Sequence, residues 1–158
     1  MEVHVRRATR EDYANLLPIA YETQEKHAKA LPHIFQKGTA GLPEEYFLGL
    51  LASDSKVMYV AKFEQSIVGY VILGLSEVAH MDILVPRNVA FISDIAIMKS
   101  HQGKGAGYAL FQQCTEWAKS KGADSLDLMV WEFNREAIAF YERQGMGSMH
   151  RTMSLELK

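Results

Sequence analysis

A chain of 158 residues, 48% hydrophobic and 23% charged, holds enough apolar material for one packed core and too little length for two. A formal net charge of -2 removes the electrostatic case for nucleic acid or an anionic membrane as partner. One cysteine rules out an internal disulfide and fits a reducing compartment. No apolar run approaches the ~20 residues of a membrane span. The alternating, charged N-terminus lacks a signal-peptide pattern, so the expectation is a single cytoplasmic domain over 1–158 with no membrane association.

"EVHVRRA" (2–8) alternates and places Val3 and Val5 on one face of a first strand. Residues 9–32 read as a helix with acids suited to its first turn, and Pro18 is expected to kink or split it. A loop punctuated by Gly38, Gly41 and Pro43 leads into a short amphipathic helix over 43–53. Two β-rich runs, 56–64 and 66–78, meet at a polar turn and signal a hairpin. The Pro86-bearing stretch 81–88 is an excursion before a third strong strand at 89–98.

A helix from about 106 to 121 follows, with Leu110, Cys114, Trp117 and Ala118 as its apolar stripe and Gly122 as its stop. Cys114 is therefore a core residue. A strand over 124–132, a helix from Asn134 to Gly145 and a last alternating strand over 149–158 complete the chain. The order β-α-α-β-β-β-α-β-α-β defines an α/β or α+β class with one β-α-β-α-β unit in its second half.

Between the third strong strand and the helix after it, "KSHQGKGAGYAL" (99–110) carries Gly103, Gly105 and Gly107. Glycine in or beside a helix costs roughly 1 kcal/mol relative to alanine, so the cluster requires a tight turn, close packing or a ligand on the peptide groups. A glycine-rich turn from strand into helix gathers free N–H groups and the positive helix end at one point, which suits an anion. The phosphate loop GxxxxGK[ST] fails because Lys104 is followed by Gly105. The dinucleotide loop GxGxxG fails because Tyr108 or Leu110 stands where the third glycine belongs.

What remains, Gln102-x-x-Gly105-x-Gly107, resembles the pyrophosphate motif of the GCN5-related N-acetyltransferases (GNAT), where arginine is commoner at the first position. "FISDIAI" resembles that family's fourth strand, and "NREAIAFYERQGM" its segment through Asn134, Ala137, Tyr141 and Gly145, with Met146 replacing the usual Phe. The resemblance implies a GNAT-like domain: a mixed, mostly antiparallel sheet flanked by helices, with strands 4 and 5 splayed around acetyl-CoA. Backbone groups of Ile95, Ala96 and Ile97 would pair with the pantetheine arm. The amides of Gly103, Lys104, Gly105, Ala106, Gly107 and Tyr108 would hold the pyrophosphate, with Gln102 a donor lacking arginine's charge. Lys104 either adds charge or is a solvated loop lysine; Asn134 either caps its helix or reaches the pantetheine.

Tyr141 would return a proton to the leaving thiolate. Many relatives carry a carboxylate at the position of Ser93, and here Asp94 stands beside it. Strict alternation puts Ser93 and Asp94 on opposite faces, so the base stays open among Asp94, a water chain, His27 and His33. His27 and His33 also bound the acceptor side, where Glu22, Glu25, Glu44 and Glu45 either attract a cationic amine or are solvated faces. The implied activity is direct, metal-free transfer of acetyl from acetyl-CoA to a primary amine of a small molecule or peptide. Two other readings stand beside it: a non-catalytic CoA or acyl-CoA sensor, and a purely structural domain with close-packed glycines. The C-terminal strand suits a homodimer.

Overall fold

The computed structural model describes residues 2–76 and 81–158. The expected end of the second hairpin strand and the start of the excursion, residues 77–80, lie outside the described residues. One sheet holds β1 (Val3–Arg7), β2 (Lys56–Phe63), β3 (Ser66–Ser76), β4 (Val89–Ile97) and β5 (Ser125–Leu128) in the order 1-2-3-4-5. Neighbours are antiparallel except β4 and β5, which are parallel and joined by the crossover helix α3 (Ala106–Ser120). Helices α1 (Tyr13–Ala30) and α2 (Glu44–Leu51) precede β2, and α4 (Arg135–Arg143) follows β5.

Helices cover both faces of the sheet. Leu16 and Ile19 of α1 and Phe47 and Leu50 of α2 pack with Val60, Tyr70 and Ile72 on one side. Leu110, Phe111, Cys114 and Trp117 of α3 pack with Val57, Val71, Leu73, Ile92 and Tyr141 on the other. Burial on both sides makes β2 and β3 nearly continuous apolar runs, and the two-residue turn between them leaves Phe63 opposite Ser66.

Three expectations are corrected. Helix α1 runs unbroken through Pro18. Pro18 and Ala14, whose carbonyl loses its helical donor there, are both exposed, so water replaces the missing bond. Strand β5 is Ser125–Leu128 rather than 124–132. Residues 149–158 form no strand; they carry no regular structure and are exposed throughout, with no strand partner among the described residues. No helix among the described residues is long and apolar enough to cross a membrane.

The start of α1 is anchored by a single carboxylate. Asp12, 4% exposed, accepts from both guanidinium nitrogens of Arg6 (2.7 and 2.9 Å), from the Thr9 N–H (2.7 Å) and from the Thr9 hydroxyl (3.2 Å). The Arg6 hydrogen bonds, chiefly, hold its pKa below the usual carboxylate value, against the opposing effect of burial. A depressed folded-state pKa contributes stability above the unfolded value, and that contribution is lost as pH falls through the folded one. The Arg6 side chain is 40% exposed, so solvent screening limits the pair. Asp12→Ala is expected to cost about 1–2 kcal/mol, the range of a lost helix cap, in neutral-pH denaturation. The difference from the parent should shrink in acid, below the folded pKa of Asp12; an unchanged difference there would place the cost elsewhere.

Candidate active site

Strand β4 contains one residue more than its partner. Ile72 pairs with Asp94 and Leu73 with Ile92, which leaves Ser93 as a bulge whose hydroxyl donates to the Ile72 carbonyl at 3.3 Å. Before the bulge Ala90 and Ile92 face α3; after it Ile95 and Ile97 face the same way, while Ala96 joins the α1/α2 side. Alternation across Ser93 and Asp94 therefore fails, and both residues border one cavity. The β4–β5 ladder also stops here, with Ile92 opposite Leu128 as its last pair. From Ser93 to Ile97 the edge of β4 turned away from β3 has no strand partner among the described residues.

The strand then runs into the glycine loop. Gly103 (φ 75°) and Gly105 (φ 93°) are left-handed, and an added Cβ at either would meet open space. Gly105 caps α3, and the Ala109 N–H is the first to bond back, onto the Gly105 carbonyl at 3.0 Å. The N–H groups of Ala106, Gly107 and Tyr108 therefore have no helical acceptor. Gly107 differs from the other two, since a Cβ there would sit 3.5 Å from the Phe140 ring of α4 in ordinary contact. Gln102 donates to the Ile97 carbonyl at 3.2 Å and ties the loop to the strand end; Lys104 and Tyr108 are exposed. Asn134 caps α4 by accepting from the Ala137 N–H (3.4 Å), and the same oxygen accepts from Lys26 of α1 (3.2 Å).

On the α1/α2 side of β4 lies a cavity of about 390 Å³ with Asp94 in its wall. The Tyr70 hydroxyl donates to Asp94 at 2.8 Å. Burial raises the Asp94 pKa, and the Tyr70 hydrogen bond, the nearby His27 ring and the Ile95 N–H pull it partly back. Tyr70 is pushed far above the ordinary tyrosine range by burial and then by Asp94. Across the sheet Tyr141, packed on Phe111 and Phe140, is pushed up to about 12, chiefly by burial and then by the Asp94 charge. It keeps its proton at neutral pH. Burial pushes the Cys114 thiol up to about 12 as well, so it is no nucleophile.

His27 borders the cavity, with its Nδ1 2.9 Å from the Thr23 carbonyl. His33 does not; it sits exposed in the turn after α1, which carries its ring away from the site. Glu22 and Glu25 act as struts, accepting from the Lys99 N–H (2.8 Å) and the Gly38 N–H (2.9 Å). Tyr70, Tyr46, Phe35 and Trp131 border the cavity without having been singled out. A tyrosine inside an otherwise aliphatic buried strand was the available signal for Tyr70, because its hydroxyl needs a partner.

Residues 20–146 match the acetyltransferase (GNAT) family, and the chain belongs to that family. An uncharacterized N-acetyltransferase, MJ1207 of Methanocaldococcus jannaschii, is 31% identical over 100 residues. That match covers 63% of this chain and 43% of MJ1207, so the chain spans less than half of that relative's length. The tetramutant of the BH1408 protein from Bacillus halodurans superposes with a TM-score of 0.93 at 26% identity, over 98% of this chain and 99% of that one. An aminoglycoside N-acetyltransferase, AAC(6')-Iy in complex with CoA, shares the fold with a TM-score of 0.72 at 13% identity, over 99% and 95%.

A carboxyl whose folded-state pKa is raised loses stability by ionising. Its cost is present above the folded pKa and vanishes as pH falls below the unfolded value of ~3.9. Asp94→Asn, which keeps an acceptor for Tyr70, is expected to melt at the same temperature as the parent or higher at neutral pH. A loss above ~1 kcal/mol in that melt would make Asp94 a structural group instead.

Proposed function

We propose that this chain transfers an acetyl group from acetyl-CoA directly to a primary amine of a small molecule or peptide, as a single cytoplasmic catalytic domain. The observation that carries this reading is the unpaired β4 edge, which has Asp94 beside it and ends in the left-handed glycine loop. The β4 edge through Ile95, Ala96 and Ile97 suits a pantetheine arm added like a short strand, with the Ile97 carbonyl held by Gln102. The N–H groups from Gly103 to Tyr108 converge at a positive helix end and suit the pyrophosphate. Lys104 stands exposed beside that loop and adds charge. Asn134, its oxygen committed to the cap, keeps its amide N–H groups for the pantetheine.

A lysine-like amine has a pKa of ~10.4 and arrives protonated. Asp94, a stronger base for being desolvated, takes that proton and passes it to solvent. The freed nitrogen lone pair forms the C–N bond at the thioester carbonyl, whose oxygen accepts, as it gains charge, from the Ile95 N–H that also rests against the Asp94 carboxyl. The C–S bond breaks, and the Tyr141 hydroxyl gives its proton to sulfur. The nitrogen's second proton restores Tyr141 through solvent, so one proton is released overall.

The sensor reading rested on the missing carboxylate at Ser93. Asp94 borders the same cavity and supplies one. CoA at a hundred times its dissociation constant should stabilise the chain by about 2.7 kcal/mol, read as a thermal shift. Tyr141→Phe should keep that shift and lose roughly 10²–10⁴-fold in acetyl-CoA-dependent thiol release. No shift with CoA would overturn the proposal, and a shift without thiol release on any amine would favour the sensor.

The exposed segment 149–158 places Met149, Met153, Leu155 and Leu157 on one face, with Arg151 interrupting it, and it supports a homodimer built by strand addition to a second copy. Sedimentation should show a dimer that becomes a monomer on deleting residues 148–158. A parent chain already monomeric at high concentration would reject the pairing.

A further inference from the structure

Three rings, His27, Phe35 and Trp131, border the Asp94 cavity, and a fourth, Phe133, packs on His27. His27 meets Phe35 edge to face (centroids 5.2 Å, 67°) and Phe133 likewise (5.3 Å, 81°), while Phe35 meets Trp131 (5.4 Å, 80°). They come from α1, from the loop after it and from the turn before α4, and none belongs to either packed core. Core formation therefore does not account for them. Trp131 is 44% exposed at the cavity wall, where its ring is open to a ligand.

Charge restricts the occupant further. Among the described residues Asp94 is the only acid bordering the cavity; the other polar side chains there are Thr23, Gln24, His27, Tyr46, Tyr70 and Ser93. Glu22 and Glu25, the nearest acids on α1, are bonded to backbone N–H groups elsewhere. A second ammonium on an acceptor would find no second acid bordering the cavity among the described residues. A volume of about 390 Å³ lies near the small end of ligand sites and holds one ring on a short stem.

Resting on the acetyl-transfer reading, we infer that the acceptor is a compact monoamine: one primary amine held at Asp94 and one flat, apolar body held against Phe35 and Trp131. These two rings are specificity residues. They touch the body of the acceptor and not the reacting atoms.

The test compares kcat/KM for phenethylamine, spermidine, a polycationic aminosugar and a lysine peptide with acetyl-CoA. Phenethylamine should lead by about tenfold or more, the scale of one well-filled apolar pocket. Trp131→Ala, and Phe35→Ala as a second variant, should raise KM for phenethylamine several-fold more than for n-butylamine, with the CoA thermal shift nearly unchanged. Phenethylamine should also quench the Trp131 emission of the CoA-saturated chain, a readout independent of turnover. Preference for spermidine, the aminosugar or the peptide would overturn the monoamine assignment and leave acetyl transfer standing. Quenching by phenethylamine without thiol release would reject acetyl transfer and uphold the pocket's selectivity. No quenching and no effect of either variant on KM would overturn the assignment outright.

Discussion

The β-bulge at Ser93 does two things to β4 at once. It reverses which face each later side chain occupies, and it coincides with the end of the pairing to β5. Were the same sequence paired regularly through Ser93, position 94 would share a face with Ala90 and Ile92 and fall into the aliphatic cluster under α3. A carboxylate there would have no partner and a large desolvation cost. With the bulge, Asp94 meets the Tyr70 hydroxyl on the opposite side and lines an open cavity. The same irregularity leaves the backbone of Ile95, Ala96 and Ile97 available along one edge.

The elements and their order were largely legible because each carried its own period or punctuation. The Leu110–Cys114–Trp117 stripe, the glycine stops at Gly122 and Gly145 and the Asn134 cap are local signals, and local chemistry sufficed for them. The bulge was not legible. A period of two cannot register one inserted residue, so Ser93 and Asp94 were assigned opposite faces. The cavity rings were also missed, since Phe35, Tyr46, Tyr70 and Trp131 meet only through the topology. His33 illustrates the converse: its nearness to His27 in sequence does not survive the turn that ends α1. The tail at 149–158 has the alternation expected of a strand and has no strand partner among the described residues.

The glycine cluster separates into two physical roles. Gly103 and Gly105 are needed for their backbone angles, and the space beyond them is empty. Gly107 lies against Phe140 and lets α3 and α4 come together. Polar ties then fix the surroundings: Gln102 to the Ile97 carbonyl, Glu22 to the Lys99 N–H, and Lys26 to the Asn134 cap. The last two join segments distant in sequence, and Gln102 ties the loop back to the end of its own strand. Rigidity at the open edge of β4 comes from these side chains as well as from the sheet.

The ring wall stands on the turn after α1 and the turn before α4, whereas the open edge and the glycine loop belong to β4 and α3. Mutational drift can therefore act on the two halves separately. Replacements at Phe35 or Trp131 leave both cores and the strand ladder untouched, so they carry little folding penalty. A lineage descending from this chain could exchange one small molecule for another by altering a few turn residues, while inheriting the sheet, the bulge and the loop unchanged.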